Sequence, residues 1–180
     1  MDKVNSVIDF WFKEIDPTQW FKKDLQFDLL ITSRFGKLHR QAVAGELWLW
    51  RQSPQGRLAE IIVLDQFSRN IYRDKANAFS ADPMSLALAQ EALSRSDDTL
   101  LTAVERTFLY MPYMHSESLE IHQQALKLFK NNGLESNYQF ELKHLKIIEE
   151  FGRYPHRNSL LNRDSTAEEL AFLSQPGSSF

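Results

Sequence analysis

Residues 61 to 73, Ile-Ile-Val-Leu-Asp-Gln-Phe-Ser-Arg-Asn-Ile-Tyr-Arg, constrain this chain more than any other stretch. An apolar run passes without a break into a dense set of hydrogen-bonding side chains, so polar groups stand at the edge of a core and need partners there. Asp65 with Arg69, Arg69 with Arg73 and Gln66 with Asn70 lie four apart, the spacing that sets side chains in rows on one side of a helix. Upstream, Ser53 followed by Pro54 supplies the cap and first-turn proline of the helix that carries them, which is expected to reach at least Gln66.

The same start and stop signals recur along the chain. Val4, Val7, Ile8, Trp11, Phe12 and Ile15 repeat at three and four, one wide apolar face of a first helix stopped by Pro17. Asp24 caps a second that turns Phe27, Leu30, Ile31, Phe35, Leu38 and Ala42 inward and stops at Gly45. Residues 46 to 50 alternate, but they are too short and isolated to pair as a strand and are expected to form a turn anchored by tryptophans. Asp82-Pro83 opens another helix, and Thr102 with Glu105 forms a capping box for one ending near Pro112. Ser116 caps a helix bearing Leu119, His122, Leu126 and Phe129 and closed by Asn132-Gly133. Leu142, Leu145, Ile148 and Phe151 follow on the next, before Gly152. Ser165 with Glu168 and Thr166 with Glu169 offer overlapping capping boxes for a last helix with Leu170 and Leu173. No stretch has convincing strand character, so the fold class is all-α, a compact array of antiparallel helix pairs with about eight to ten helices. No period near 34 residues survives along the chain.

At 180 residues the chain fits one domain, residues 1–174, with 175–180 expected to fray as a flexible tail. Zero cysteines exclude disulfides, thiolate metal sites and thiol catalysis, and fit a reducing cytoplasm. The first residues lack a basic segment followed by an apolar one, and no run approaches the roughly 20 apolar residues of a membrane span, so a cytoplasmic protein is expected. A formal charge of -3, from 21 basic and 24 acidic residues, supplies no global field for nucleic acid or a membrane surface. The sequence names no oligomeric state.

Three clusters share one vocabulary: Asp65, Gln66, Arg69 and Asn70 with Arg73; His115, Ser116 and Glu117; and Arg153, Tyr154, His156, Arg157 and Asn158. All lie near expected helix ends. The planar fork of arginine holds a carboxylate or phosphate at two points, and helix starts add backbone N–H groups for the same anion. His115 and His156 are the candidate general acids or bases, with Asp65 or Glu117 to orient one imidazole. Ser68 and Ser116 lack the turn of a nucleophilic serine. Glu141-Leu-Lys-His144 has the spacing of a di-iron helix, but such sites need two copies and no second is found, so no metal or cofactor is expected. His39 and His122 are expected at the surface or the edge of the core. No Gly-rich phosphate loop is present.

With Asp9-Phe10-Trp11-Phe12, Trp20-Phe21, Leu64 to Asn70 with Tyr72-Arg73, Pro112 with His115-Ser116-Glu117, Phe151-Gly152-Arg153 with Pro155 to Asn158, and Ser165-Thr166 with Glu168-Glu169, the chain resembles the bacterial domain of unknown function 924 family over nearly its whole length. That family usually has proline where this chain has Ser68 and glycine where it has Lys13. The resemblance implies a tetratricopeptide-like helical stack and no activity; fold alone does not fix function. Two functions follow from the clusters. In the first, Arg69, Asn70, Arg73, Arg153, Arg157 and Asn158 bind an anionic small molecule or a partner's peptide. In the second, a hydrolase or lyase acts on an anionic metabolite with His115 or His156 as acid/base. If the clusters close on one another, the protein is structural or regulatory, and the polar set only holds helices together.

Overall fold

The structure, a computed structural model, describes residues 3–178. The expected tail runs past them, with residues 179 and 180 outside the described part, as are residues 1 and 2. Among the described residues eight α-helices follow in order: α1 (Lys3–Asp9), α2 (Leu25–Val43), α3 (Pro54–Ile71), α4 (Asp82–Ser94), α5 (Ala103–Met114), α6 (Leu119–Asn132), α7 (Glu135–Phe151) and α8 (Ala167–Leu173). Short 3₁₀ turns join several of them, and no strand occurs among the described residues.

The apolar run is the axis of the molecule. Helix α3 packs against α1, α2, α4 and α5, which is why Leu58, Ala59, Ile61, Ile62, Val63, Leu64 and Phe67 are all fully buried. A helix covered on every side has no solvent face to keep polar, and from Leu58 to Leu64 its sequence is apolar except for Glu60, which is buried against Arg51. Phe67 meets the rings of Phe10, Trp11 and Phe35 at centroid distances of 6.1, 5.6 and 4.9 Å. Helices α5, α6 and α7 extend the array by packing each on the next.

The local signals hold at most ends. Asp24 accepts from the N–H groups of Gln26 and Phe27, Ser53 from Gly56, and both Thr102/Glu105 and Thr166/Glu169 form reciprocal capping boxes. Gly133 and Gly152 end α6 and α7 in the left-handed conformation, at φ of +78° and +67°.

Several expectations are corrected. The first helix is interrupted by a π-helical turn at Phe10–Glu14, which swings Phe10 and Trp11 together into the core. Leu30 is half exposed, because Phe27, Ile31, Phe35, Leu38 and Ala42 fill the narrower face that α2 turns inward. Residues 48 to 52 form a 3₁₀ turn in which Trp50 packs on the core and Trp48 stands exposed, so Leu47 takes the anchoring place. Helix α5 ends near Pro112 as expected, at Met114, with Tyr113 and Met114 buried. Helix α6 starts two residues later than expected, with Ser118 at the cap position and the Ser116 hydroxyl accepting from the Ser118 N–H. His39 and His122 lie inside the core. The Ser68 hydroxyl donates to the Leu64 carbonyl at 2.6 Å and so accepts from His39 Nε2 at 2.7 Å, which gives that buried ring its partner.

Candidate functional site

The polar end of α3 faces a cavity of about 680 Å³ between α3, α5, α7, the turn after α3 and the loop that follows α7. Gln66, Arg69 and Asn70 reach it from α3, Arg73 from the turn just after, His115 from the end of α5, and Tyr154, His156 and Arg157 from the loop. Residues of all three sequence clusters therefore meet at one cavity. Asp65, Glu117, Arg153 and Asn158 do not line it.

Asp65 stands directly behind the wall. Its Oδ1 accepts from His115 Nδ1 at 2.8 Å and forms an ion pair with Arg69 Nη1 at 2.9 Å, and its Oδ2 accepts from Gln66 at 2.6 Å. Burial alone would push its pKa up; the Arg69 guanidinium, then the His115 and Gln66 hydrogen bonds, outweigh that and hold it down to about 2. Burial, helped by Arg69, lowers the pKa of His115 despite Asp65. At neutral pH the pair is therefore a carboxylate and a neutral imidazole. The carboxylate only accepts, so the proton sits on Nδ1 and the Nε2 lone pair is left without a protein partner among the described residues.

Asp82 joins the cations. Read in sequence as a helix start, it does begin α4, but its carboxylate makes no cap hydrogen bond. Instead it grips Arg69 at two points, 3.0 and 3.1 Å, and lies 3.4 Å from Arg157. Arg157 is 6% exposed, its guanidinium lies over the rings of Phe79 and Tyr154 at 4.5 and 4.6 Å, and it donates to the His115 carbonyl at 3.0 Å. Its Nε is buried with no hydrogen-bond partner among the described residues. Burial, then the charge of Arg69, lowers its pKa. Arg73 and Asn70 are tied to Asp28 of α2, at 2.5 and 2.7 Å and at 2.8 Å.

His156 and His144 complete the imidazoles of the cavity. Burial and the Arg157 charge bring His156 down to about 4, and burial brings His144, which meets the Phe140 carbonyl at 2.7 Å, down to about 3. Both are neutral at pH 7. Lys22, Lys23 and Lys143 stand exposed along the same lining beside the exposed rings of Phe21 and Phe140, with buried Met111, Met114 and Ala78 deeper in.

The remaining site candidates build a separate latch. Glu117 accepts two hydrogen bonds from Arg163, at 2.6 and 2.9 Å, and one from the Tyr154 N–H at 2.7 Å. Arg153 holds Glu169 of α8 at 2.6 and 2.9 Å, and Asn158 donates to Ser165 and Glu169. These bonds fix the loop that carries Tyr154, His156 and Arg157. The Glu141/His144 spacing resolves differently again, since buried Glu141 bonds His122 Nδ1 at 2.7 Å. No group of three or more His, Asp or Glu is placed to hold a metal among the described residues. No site role is expected from the sequence for Asp28, Asp82, Phe79, Arg163 or the three lysines, each of which stands outside the clusters; only the arginines needing acceptors point to the aspartates.

Residues 7–177 match the model of a family described as bacterial protein of unknown function (DUF924). A solved structure of a protein of unknown function, ATU0120 from Agrobacterium tumefaciens, is 35% identical, superimposes with a TM-score of 0.91, and the match covers 96% of this chain and 97% of that one. Among curated proteins nothing matches. No helix among the described residues is long and apolar enough to cross a membrane.

Proposed function

We propose a role for a chain that belongs to the family of bacterial proteins of unknown function DUF924: it binds an anionic small molecule in the cavity between α3, α5, α7 and the 153–163 loop. One observation carries this. Arg157 is a buried guanidinium with one weak carboxylate contact and an unbonded Nε, on the wall of a cavity with five other cations and, among the described residues, Asp74 as the sole lining carboxylate. A buried cation this poorly matched is costly when the cavity is empty and is satisfied by an incoming anion. A free protein carboxy-terminus has the same chemistry, so a partner's peptide is the competing occupant. The absence of cysteine agrees with a cytoplasmic setting.

Thermal shift with phosphate, sulfate and small dicarboxylates, against sodium chloride at equal ionic strength, tests the reading. A ligand at about 100 times its Kd adds roughly 2.7 kcal/mol, about 5–10 °C for a domain of this size. Arg157→Gln is expected to remove the shift. No shift with any anion sinks the reading.

The Asp65–His115 pair favours a second reading, in which His115 Nε2 is a general base in a hydrolase or lyase on the bound anion. Supporting it are the fixed tautomer and the lone pair left open. Turnover of an anionic ester panel that survives both Asp65→Asn and His115→Gln would rule it out.

A further inference from the structure

We propose that the ligand is a single-chain amphipathic anion, an acyl or aryl chain ending in a carboxylate or phosphate, with its acidic group on Arg157 and its apolar body along Met111 and Met114 toward the exposed rings of Phe21 and Phe140. This rests on the anion-binding reading and adds the ligand's second half.

Size makes the first argument. A cavity of about 680 Å³ sits mid-range among pockets that bury a ligand of roughly 300–1,000 Å³. A water takes about 30 Å³ of liquid, so an inorganic phosphate on Arg157 leaves most of that space to water. That water would lie against Met111, Met114, Ala78, Phe79 and Leu160, which offer it few hydrogen bonds. An apolar body attached to the acid displaces it and buries surface on both sides.

The order of the lining makes the second. The most deeply buried cation, Arg157, shares the interior with the two methionines, whereas Phe21 is 62% and Phe140 47% exposed. Large apolar rings left in water beside a cavity whose interior is also apolar extend one continuous surface outward. Met side chains adapt to chains of differing shape, since the thioether has three rotatable bonds.

Charge limits the acid. Lys22, Lys23, Arg69, Arg73, Lys143 and Arg157 line the cavity; Asp74 on the lining, with Asp28, Asp65 and Asp82 behind it, balances four of the six. Two positive charges are left when the histidines are neutral. A mono- or dianion matches that excess, and a polyanion exceeds it.

Calorimetric titration of the wild-type protein with n-alkyl carboxylates and n-alkyl phosphates of two to ten carbons, below their micelle concentrations, tests the proposal. The n-alcohols, inorganic phosphate, a free-acid tripeptide and neutral phosphatidylcholine vesicles serve as comparisons. Affinity is expected to rise about fourfold per methylene, the equivalent of roughly 0.8 kcal/mol per buried CH₂, until the cavity is filled. The alcohols are expected at least 100-fold weaker, and whichever acid series leads assigns the head group. Ala78→Leu, which narrows the cavity without touching a charge, is expected to shorten the longest chain accepted. Inorganic phosphate binding as tightly as the octyl ester would overturn the proposal and leave the anion reading standing. Binding of the tripeptide or the vesicles with no dependence on chain length would overturn it in favour of those partners. No binding by any anion would end both.

Discussion

Asp82 is the residue whose loss separates stability from binding. It is the shared counter-ion of Arg69 and Arg157, so Asp82→Asn keeps the volume and one acceptor oxygen but removes the charge between two guanidinium groups. Stripping one partner from a fully buried ion pair costs about 3–5 kcal/mol. Here Asp82 is 16% and Arg69 21% exposed, so water recovers part of that, and about 2–4 kcal/mol is expected. At ~2–4 °C per kcal/mol for a chain of 150–250 residues, the Tm falls by roughly 5–15 °C. The same change makes the cavity more positive, so inorganic phosphate is expected to bind at least threefold more tightly while the fold weakens. Differential scanning fluorimetry gives the first quantity and calorimetric titration the second. A residue that only holds helices together would lower both, and that result, or a Tm within 2 °C of wild type, refutes the counter-ion argument.

Three further outcomes follow from the geometry. His144 and His156 titrate near 3 and 4 in the fold against about 6.5 unfolded, so the unfolded chain binds their protons first. Stability is then full above about pH 6.5 and lost as pH falls toward those values; scanning fluorimetry should show Tm dropping between pH 6.5 and 5, above the range where Asp65 and Glu169 titrate, and a flat profile would contradict it. Burial raises the pKa of Glu141 although the carboxyl bonds His122 Nδ1 at 2.7 Å, so its buried site disfavours the charged form. Glu141→Gln keeps the shape without the charge, so its Tm at pH 8 is expected at or above wild type, and a drop of more than about 5 °C would show that the pair is ionic. Arg163→Ala removes both Glu117 contacts and the bonds to Tyr154 and Asn158, so hydrogen exchange should rise across 153–163 and phosphate affinity should fall severalfold although Arg163 does not line the cavity; unchanged affinity would detach the latch from the site.

Signals carried within four residues were legible in the sequence, and those carried across the fold were not. Ser53-Pro54, Thr102/Glu105 and Thr166/Glu169 act through bonds closed inside one turn, so each appears in the structure at the position the sequence indicates. Leu30 fails because α2 alone does not reveal how much of its face α3 covers. Asp65 could be paired with Arg69 from spacing, yet its bond to His115 spans 50 residues and the Arg73–Asp28 bond 45, distances over which one sequence holds no register. Asp82 is hidden by a better-known role, since Asp before Pro reads as a helix start.

The three polar clusters divide by what they are tied to. Glu117, Arg153 and Asn158 find acceptors and donors on α8 and its approach, including Glu169, whose pKa Arg153 above all holds down to about 2. Every one of those charges is matched within the latch. Around the cavity the matching stops short: Arg69 has two carboxylates, Arg73 has one, and Arg157 has a carboxylate oxygen at 3.4 Å and an unbonded Nε. A polar set that existed only to join helices gains nothing from leaving its most buried cation the least satisfied, because replacing it with a packed apolar residue would be neutral or stabilising. Arg157 can stay in that state because the 153–163 loop is pinned from outside by the latch, so the guanidinium is unable to relax into solvent. The latch thus holds an unmatched charge in place, and that charge is the feature on which the proposed anion binding rests.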